Sequence, residues 1–287
     1  MTFSHNKHGI DATVKIDLTM DQRILVTSPR ITSDSTALME AAEASGQLAM
    51  RLPSFRPTPA LENAHVAVYG ESLFAIIITS ALNHVVLEPT SDWLPSLAEK
   101  YRGRSVIKQT IGAARMAAQP QFVKIADGTK GFDARVYASG DDLPPAEYYP
   151  DDSEVLVSEP VFWEVEYRCF VLEGVPLTMS VYLREGELAQ SPDGEWLHDD
   201  AESEEAADYC ARLLDDPSVL LPPACVIDIG RIEGHGWAVV EANPAYGSGI
   251  YGCDPLKVLR VINRATIRVQ DITSRDEPWV GRYEVED

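Results

Sequence analysis

The chain has 287 residues, of which 45% are hydrophobic and 24% charged, a composition typical of a globular protein with one large or two to three small domains. Its formal net charge of -21 argues against binding to nucleic acid or to an anionic membrane surface, because both need clustered Lys and Arg. No apolar run reaches transmembrane length, the N-terminus lacks a signal-peptide core and the four cysteines form no C-x-x-C pair, so we expect a soluble cytoplasmic protein.

The N-terminal third is predicted to be a small α/β unit. Residues 1–20 are polar and weakly patterned, which favours a flexible arm or an added edge strand. Apolar runs then alternate with helical stretches, giving strands at 23–27, 47–52, 65–69 and 85–88 and helices at 37–45 and 71–82. This order predicts a doubly wound α/β unit over residues 21–95. It carries no G-x-G-x-x-G sequence, so we assign no dinucleotide site to it.

The remainder of the chain is predicted to combine helices with antiparallel strands, which makes the fold class α/β (α+β). A helix with a break near Gly103 is expected over residues 94–118. The other predicted elements are strands at 121–126, 132–137, 154–158, 164–172 and 176–183, a helix at 204–214, paired strands carrying Asp228 and Glu241, and a helix at 255–269. Polar, acidic stretches at 141–152 and 185–204 connect these elements, and residues 274–287 read as an acidic tail.

Lys124 is the first candidate for contact with a phosphate. It lies on an apolar strand just before the loop Asp127-Gly-Thr-Lys-Gly131, whose glycines allow backbone N–H groups to approach a phosphate closely. Lys130 in the same loop adds positive charge. Alternatively, Lys124 is a surface lysine whose stem covers apolar neighbours.

Glu159 closes the strand at 154–158. The carbonyl of Glu159 and the N–H of Val161 suit the edge of an adenine base, since Pro160 between them has no N–H. Glu-Pro is also common at strand ends, so this pattern is weak on its own.

Glu166 and Arg168 are two residues apart and point to one face of the next strand. A carboxylate suits ribose hydroxyl groups, and a guanidinium suits a phosphate or a carboxylate substrate. The alternative is an exposed cross-strand ion pair. Arg184, at the far end of the partner strand, is predicted to join that face, or else to be a solvated loop arginine.

Asp228, Glu241 and Asn243 form the most informative group. Glu241 and Asn243 lie two residues apart at the end of an apolar strand, and Asp228 reaches the same face if its own strand pairs with theirs as a hairpin. Two carboxylates and an amide oxygen suit Mg²⁺ held against nucleotide phosphates. The alternative is that Asn243-Pro244 only begins a turn.

The order of these motifs resembles the ATP-grasp superfamily over about residues 22–270, in particular a compact, divergent branch of mostly uncharacterised bacterial and phage proteins. The resemblance rests on Phe122-Val-Lys-Ile-Ala-Asp-Gly-Thr-Lys-Gly-Phe, on Val157-Ser-Glu-Pro-Val161, and on Asp228 followed by Glu-Ala-Asn-Pro-Ala-Tyr-Gly-Ser-Gly. It implies an N-terminal pre-ATP-grasp α/β domain at 21–95 and a nucleotide-binding and catalytic domain at 96–273. The glycine loop is shorter than in the biotin carboxylase-like members of the superfamily.

The resemblance further implies ATP and Mg²⁺, and a ligase that joins a carboxylate to an amine through an acyl-phosphate. Arg168, Arg184 and Lys130 would then face the transferring phosphoryl group or the acceptor. ATP-grasp proteins usually carry an earlier phosphate-binding basic residue, for which Lys108 is the first candidate and Arg104 the second.

Two other functions stay open at this point: a phosphotransferase on the same fold, and a non-catalytic nucleotide-binding protein. The sequence names neither the carboxylate nor the amine, beyond an amino acid, a peptide or a similar small metabolite. It also leaves the oligomeric state open, with a homodimer as one alternative.

Overall fold

The structure, a computed structural model, describes residues 23–126 and 131–281, so the predicted arm at 1–20 and residues 282–287 of the predicted tail lie outside the described residues. Its strands are β1 Ile24–Thr27, β2 Leu48–Arg51, β3 Val66–Tyr69, β4 His84–Val86, β5 Val106–Thr110, β6 Gln121–Ile125, β7 Arg135–Tyr137, β8 Glu154–Ser158, β9 Trp163–Leu172, β10 Val175–Arg184, β11 Glu187–Leu188, β12 Ala224–Ile232, β13 Gly236–Asn243 and β14 Thr266–Arg268. Its helices are α1 Ser33–Ala44, α2 Ser72–Ala81, α3 Trp93–Ser96, α4 Glu99–Arg102, α5 Ile111–Ala114, α6 Asp200–Leu214 and α7 Pro255–Ala265. Within the described part of the chain, none of the helices combines the length and the apolar character that crossing a membrane requires.

The N-terminal strands form a parallel sheet in the order β2-β1-β3. Leu25 packs on the side of α1 and α7, whereas Val26 packs on the side of α2, so helices cover both faces of the sheet. α1 begins directly after Thr32, whose side chain accepts a hydrogen bond from the N–H of Ser35. The helix therefore starts at Ser33, earlier than the predicted residue 37, because the cap and not the apolar periodicity sets its start.

The predicted fourth strand does not extend this sheet. β4 pairs in antiparallel fashion with β14, in the register Val85 to Ile267. The closing helix, predicted to reach residue 269, accordingly ends at Ala265 and continues as β14. Pairing with a distant strand here overrides the local helical pattern.

The segment predicted as one helix over 94–118 is wrong in its second half. Gly103, with a φ of +63°, ends α4 in the left-handed region, and the chain then runs as β5. β5 pairs with β8 from Val106 to Thr110 and so becomes an edge of a four-stranded sheet in the order β5-β8-β6-β7. The predicted hairpin of β6 and β7 is confirmed within this sheet.

The centre of the molecule is a five-stranded sheet in the order β11-β10-β9-β12-β13. One face packs its apolar side chains, such as Cys169 and Ile227, against α6. The other face packs Phe170 and Val226 against α7 at one end. Next to that apolar end, the strand register sets a row of polar residues side by side across four strands, namely Ser180, Arg168, Asp228 and Glu241.

Two β-bulges decide which side chains join this polar face. In β13, Asp228 pairs with Glu241 but Ile229 pairs with Val239, which leaves Val240 as the extra residue. In β10, a register shift between Val181 and Leu183 leaves Tyr182 as the extra residue. Each bulge reverses the alternation of faces beyond it, since an extra residue shifts the two-residue period by one.

A pair of histidines lies beside the N-terminal sheet. The ring of His84 accepts the N–H of Val66 at Nε2 and has the carbonyl of Leu82 within 2.7 Å of Nδ1, an arrangement that favours the neutral ring. The Nε2 atom of His65 lies 2.8 Å from the guanidinium of Arg23. Burial lowers the pKa of His65 from its ordinary 6.5 to about 4, with Arg23 adding to the effect, and burial also lowers the pKa of His84.

We expect the protein to lose stability as the pH falls from 7 to 5. The unfolded chain protonates His65 near its ordinary pKa and the folded chain only near 4, so protons in this range favour unfolding. After allowance for solvent screening, the loss from His65 is about 1 kcal/mol of unfolding free energy. Urea denaturation at both pH values measures it. His65→Gln should reduce the loss and His235→Gln, in the exposed β12–β13 turn, should not; an equal loss in the His65→Gln protein would contradict the assignment.

Candidate active site

A buried ion pair lies at the middle of the polar row. Arg168 donates from Nε to Oδ1 of Asp228 at 2.8 Å and from its second terminal nitrogen to Oδ2 at 2.6 Å, which is a bidentate arrangement. A third donor of Arg168 reaches the carbonyl of Gly249 at 3.1 Å, and the rings of Tyr182 and Tyr251 cover the guanidinium. Burial raises the pKa of Asp228, opposed by the charge of Arg168. The predicted contact of Arg168 with a substrate is thus replaced, in this state, by a contact with Asp228.

Lys124, Glu241 and Asn243 complete the site. Lys124 extends from β6 of the other sheet to within 2.5 Å of Oε2 of Glu241, and the amide of Asn243 donates to Oε1 at 2.8 Å. Burial alone would raise the pKa of Glu241, but the charge of Lys124 and the hydrogen bond from Asn243 lower it to about 2. The predicted hairpin of Asp228 and Glu241 is confirmed, and the alternative that Glu241 is an isolated surface residue is excluded.

The arrangement of oxygens fits a divalent cation. The amide nitrogen of Asn243 lies 3.1 Å from Oδ2 of Asp228 and 2.8 Å from Oε1 of Glu241, so two carboxylate oxygens converge on this one group. A half-turn of the amide brings its oxygen to the same position and gives three oxygen donors, the set that Mg²⁺ prefers. Among the described residues, no cluster of three or more His, Cys, Asp or Glu side chains could hold a metal ion, so a cation here depends on Asn243.

A cavity of about 320 Å³ opens beside this group, between the four-stranded and the five-stranded sheet. Lys124 and Glu241 lie at one part of its wall, and the strand end at Glu159 and Val161 lies at another. Apolar side chains from both sheets form most of the remaining wall: Leu94, Val106, Phe122, Ala134, Val136, Leu156 and Val240. The cavity therefore joins an apolar slot with free backbone edges to a charged end, the shape that a nucleotide needs.

Trp163 is a wall residue that the sequence did not single out. A Cβ at Gly230 would lie 2.7 Å from a ring carbon of Trp163, so only glycine at that position of β12 leaves room for the indole. The contact joins two strands that are far apart in sequence, and no local pattern announces it.

The structure reverses the order of the two early basic candidates. The ammonium of Lys108 lies within 2.9 Å of Asp92 and 3.3 Å of Glu154, away from the residues that line the cavity. Arg104 lines the cavity itself and is 8% exposed. The prediction that favoured Lys108 over Arg104 thus finds no support in the position of Lys108, because its charge is already matched by carboxylates.

Glu166 is buried on the same face as Arg168, as its spacing predicts, but it does not line the cavity. Its carboxylate accepts a hydrogen bond from the hydroxyl of Tyr182 at 2.7 Å. Burial raises the pKa of Glu166 to about 7, although this hydrogen bond opposes the shift. The predicted exposed ion pair of Glu166 with Arg168 is wrong, since each has a different partner.

The prediction that Arg184 shares the face of Arg168 is also wrong. Arg184 pairs across the sheet with Val165, which points into the core against α6, and its guanidinium lies 2.7 Å from Glu202 of that helix. The bulge at Tyr182 moves Arg184 to the opposite face. The remaining candidate, Lys130, lies outside the described residues.

Comparison with known proteins places the chain among them by its domain and its fold. Residues 101–261 match a family described as an ATP-grasp domain, the second family of its clade. The fold is similar to that of D-cycloserine synthetase DcsG, with a TM-score of 0.50 and 12% identity over 84% of this chain and 98% of that chain. It is also similar to D-alanyl-alanine synthetase A from Vibrio cholerae O1 biovar eltor str. N16961, with a TM-score of 0.51 and 14% identity over 85% of this chain and 94% of that chain. Identities this low show a shared fold alone, and no curated protein matches the chain.

Proposed function

The chain belongs to the ATP-grasp superfamily, in the family that its residues 101–261 match, and on this premise we propose that it is an ATP-dependent ligase that joins a carboxylate to an amine. The carboxylate would be activated as an acyl-phosphate, on an amino acid, a peptide or a similar small metabolite. The two structural relatives named above, both synthetases, agree with this reaction class.

One observation carries the proposal: the apolar cavity ends at the ion pair of Lys124 and Glu241, directly beside Asp228 and Asn243. A nucleotide whose base occupies the apolar slot has its phosphates directed toward these groups. The carbonyl of Glu159 and the N–H of Val161 would then read the adenine edge.

The charged groups suit the opposite end of the nucleotide. Lys124 is a point charge on a rigid strand and would bind phosphate oxygens in exchange for part of its contact with Glu241. Asp228, Glu241 and Asn243 would hold Mg²⁺, which supplies charge neutralisation for phosphoryl transfer when bound. Arg168 would orient Asp228 through its two hydrogen bonds, and Glu166 is our candidate acceptor for the ribose hydroxyl groups.

We expect ATP with Mg²⁺ to raise the melting temperature of the protein. A ligand that binds only the folded state stabilises it by about 2.7 kcal/mol at 100 times its Kd. Differential scanning fluorimetry measures the shift, with Lys124→Met as the variant that should lose it and Lys100→Met, on an exposed lysine of α4, as the control. No shift at saturating ATP and Mg²⁺ would exclude every nucleotide-dependent function.

The product separates a ligase from a phosphotransferase. With candidate carboxylates and hydroxylamine as the amine, a ligase releases ADP and phosphate and forms a hydroxamate from the acyl-phosphate. A phosphotransferase instead gives a stable phosphorylated product without any amine, which mass spectrometry would detect.

A further inference from the structure

Arg104 makes an unusual set of contacts with the strand that carries Glu241. Its guanidinium donates to the carbonyl of Val239 at 2.8 Å and to the carbonyl of Val240 at 3.0 Å. A further hydrogen bond, of 2.9 Å, joins it to the carbonyl of Arg102. Three of its five N–H donors are thus used on backbone oxygen atoms, and the side chain has no carboxylate partner within the described ranges.

Two of these carbonyls belong to the bulge in β13. Val240 is the extra residue, and Val239 is the last residue before it. Without the bulge, Val239 and Glu241 would point to the same face, because they are two residues apart. The bulge sends Val239 into the core against α6 and Glu241 onto the polar face beside Asp228.

The same guanidinium also belongs to the wall of the cavity. It lies 4.8 Å from the centre of the Trp163 ring, in a cation–π contact, and both residues line the cavity together with Val240. Arg104 therefore connects the wall of the proposed nucleotide slot to the backbone that aims Glu241.

We propose that Arg104 is a positioning residue that fixes the bulge at Val240 and thereby holds Glu241 in the orientation for binding a divalent cation. The inference rests on the proposed function, since it concerns the cation that ATP would bring. It differs from a role of Arg104 as a simple phosphate-binding charge, because its hydrogen bonds go to carbonyls that are fixed relative to Glu241.

Lysine separates the two roles. It keeps the positive charge, which is all that a phosphate contact through a point charge needs, but it lacks the planar fork that spans two neighbouring carbonyls. A positioning role therefore predicts that Arg104→Lys is damaging, whereas a phosphate-binding role predicts that it is mild and that only Arg104→Met raises the KM for ATP.

The first readout is cation binding without turnover. Mn²⁺ is titrated by electron paramagnetic resonance in the presence of a non-hydrolysable ATP analogue, and we expect Arg104→Lys to weaken Mn²⁺ affinity by about 10–100-fold, as for other groups that orient metal ligands. Arg102→Lys is the matched control, since Arg102 contacts the carbonyl of Val106 and not the bulge. In turnover assays kcat should fall by a similar factor, with the KM for ATP nearly unchanged.

A double-mutant cycle with Glu241→Gln tests whether the effect passes through Glu241. If it does, Arg104→Lys should weaken Mn²⁺ binding little further in the Glu241→Gln protein; additive losses would overturn the proposal. Unchanged Mn²⁺ affinity in Arg104→Lys would overturn it as well. Arg104→Gln, which keeps an amide donor, replaces Arg104→Lys if that variant does not unfold cooperatively. Failure of the unchanged protein to bind the ATP analogue would instead count against the proposed function.

Discussion

Replacing Glu241 with glutamine is expected to lower ATP-dependent turnover by about a thousand-fold or more while the protein stays folded. The carboxylate takes part in two contacts of the site at once, with Lys124 and with Asn243, and it faces the cavity. Glutamine keeps its shape but removes the charge that would hold a divalent cation. A loss of about 4 kcal/mol of transition-state stabilisation corresponds to a thousand-fold in rate.

The measurement is kcat for ADP formation over a range of Mg²⁺ concentrations. Glu233→Gln, in the exposed turn of the same hairpin, removes the same charge outside the site and should leave kcat unchanged. A Glu241→Gln protein as active as the Glu233→Gln protein would show that Glu241 takes no part in the reaction.

Replacing Arg168 with alanine is expected to destabilise the fold by about 3–5 kcal/mol at pH 7. Asp228 is fully buried, and Arg168 is its cationic partner, so the variant leaves an uncompensated buried charge. Urea denaturation measures the loss. Arg268→Ala is the control, because its ion pair with Asp271 is partly exposed and should be worth less than about 1 kcal/mol.

The pH dependence of this loss identifies its cause. Without Arg168, the folded-state pKa of Asp228 should rise further, so the folded variant binds a proton that the unfolded chain does not bind at the same pH. Stability is then lost as the pH rises, and the difference from the unchanged protein should be smaller at pH 5 than at pH 7. Joint replacement by Met at 168 and Leu at 228 should recover much of the loss, because it removes both charges. A pH-independent loss would point to packing around Tyr182 and Tyr251 instead.

Much of the site followed from short-range patterns. The two-residue spacing of Glu241 and Asn243 fixed their common face, and the turn between the two apolar runs brought Asp228 opposite Glu241. The same alternation placed Glu166 and Arg168 on one face of β9. Such patterns work because the side-chain period of a strand depends on the backbone alone.

The errors arose where a distant contact or an extra residue intervened. Arg184 was placed on the wrong face because one bulge residue, Tyr182, shifts the alternation, and the sequence of β10 does not mark it. The helical pattern over residues 104–118 gave way to β5 because β8 supplies the hydrogen bonds of a sheet. Lys108 was preferred over Arg104 because its carboxylate partners, Asp92 and Glu154, come from other elements.

The sequence by itself thus determined the chemical groups of this protein: two carboxylates and an amide at paired strand ends, a lysine on a neighbouring sheet, and the resemblance that joins them. Only the tertiary structure decided the pairing of charges. It set Arg168 on Asp228, Lys124 on Glu241 and Arg104 on the carbonyls of the bulge. The physical reason is that a long basic side chain can reach several partners, and which one it meets depends on strand register and burial rather than on its neighbours in sequence.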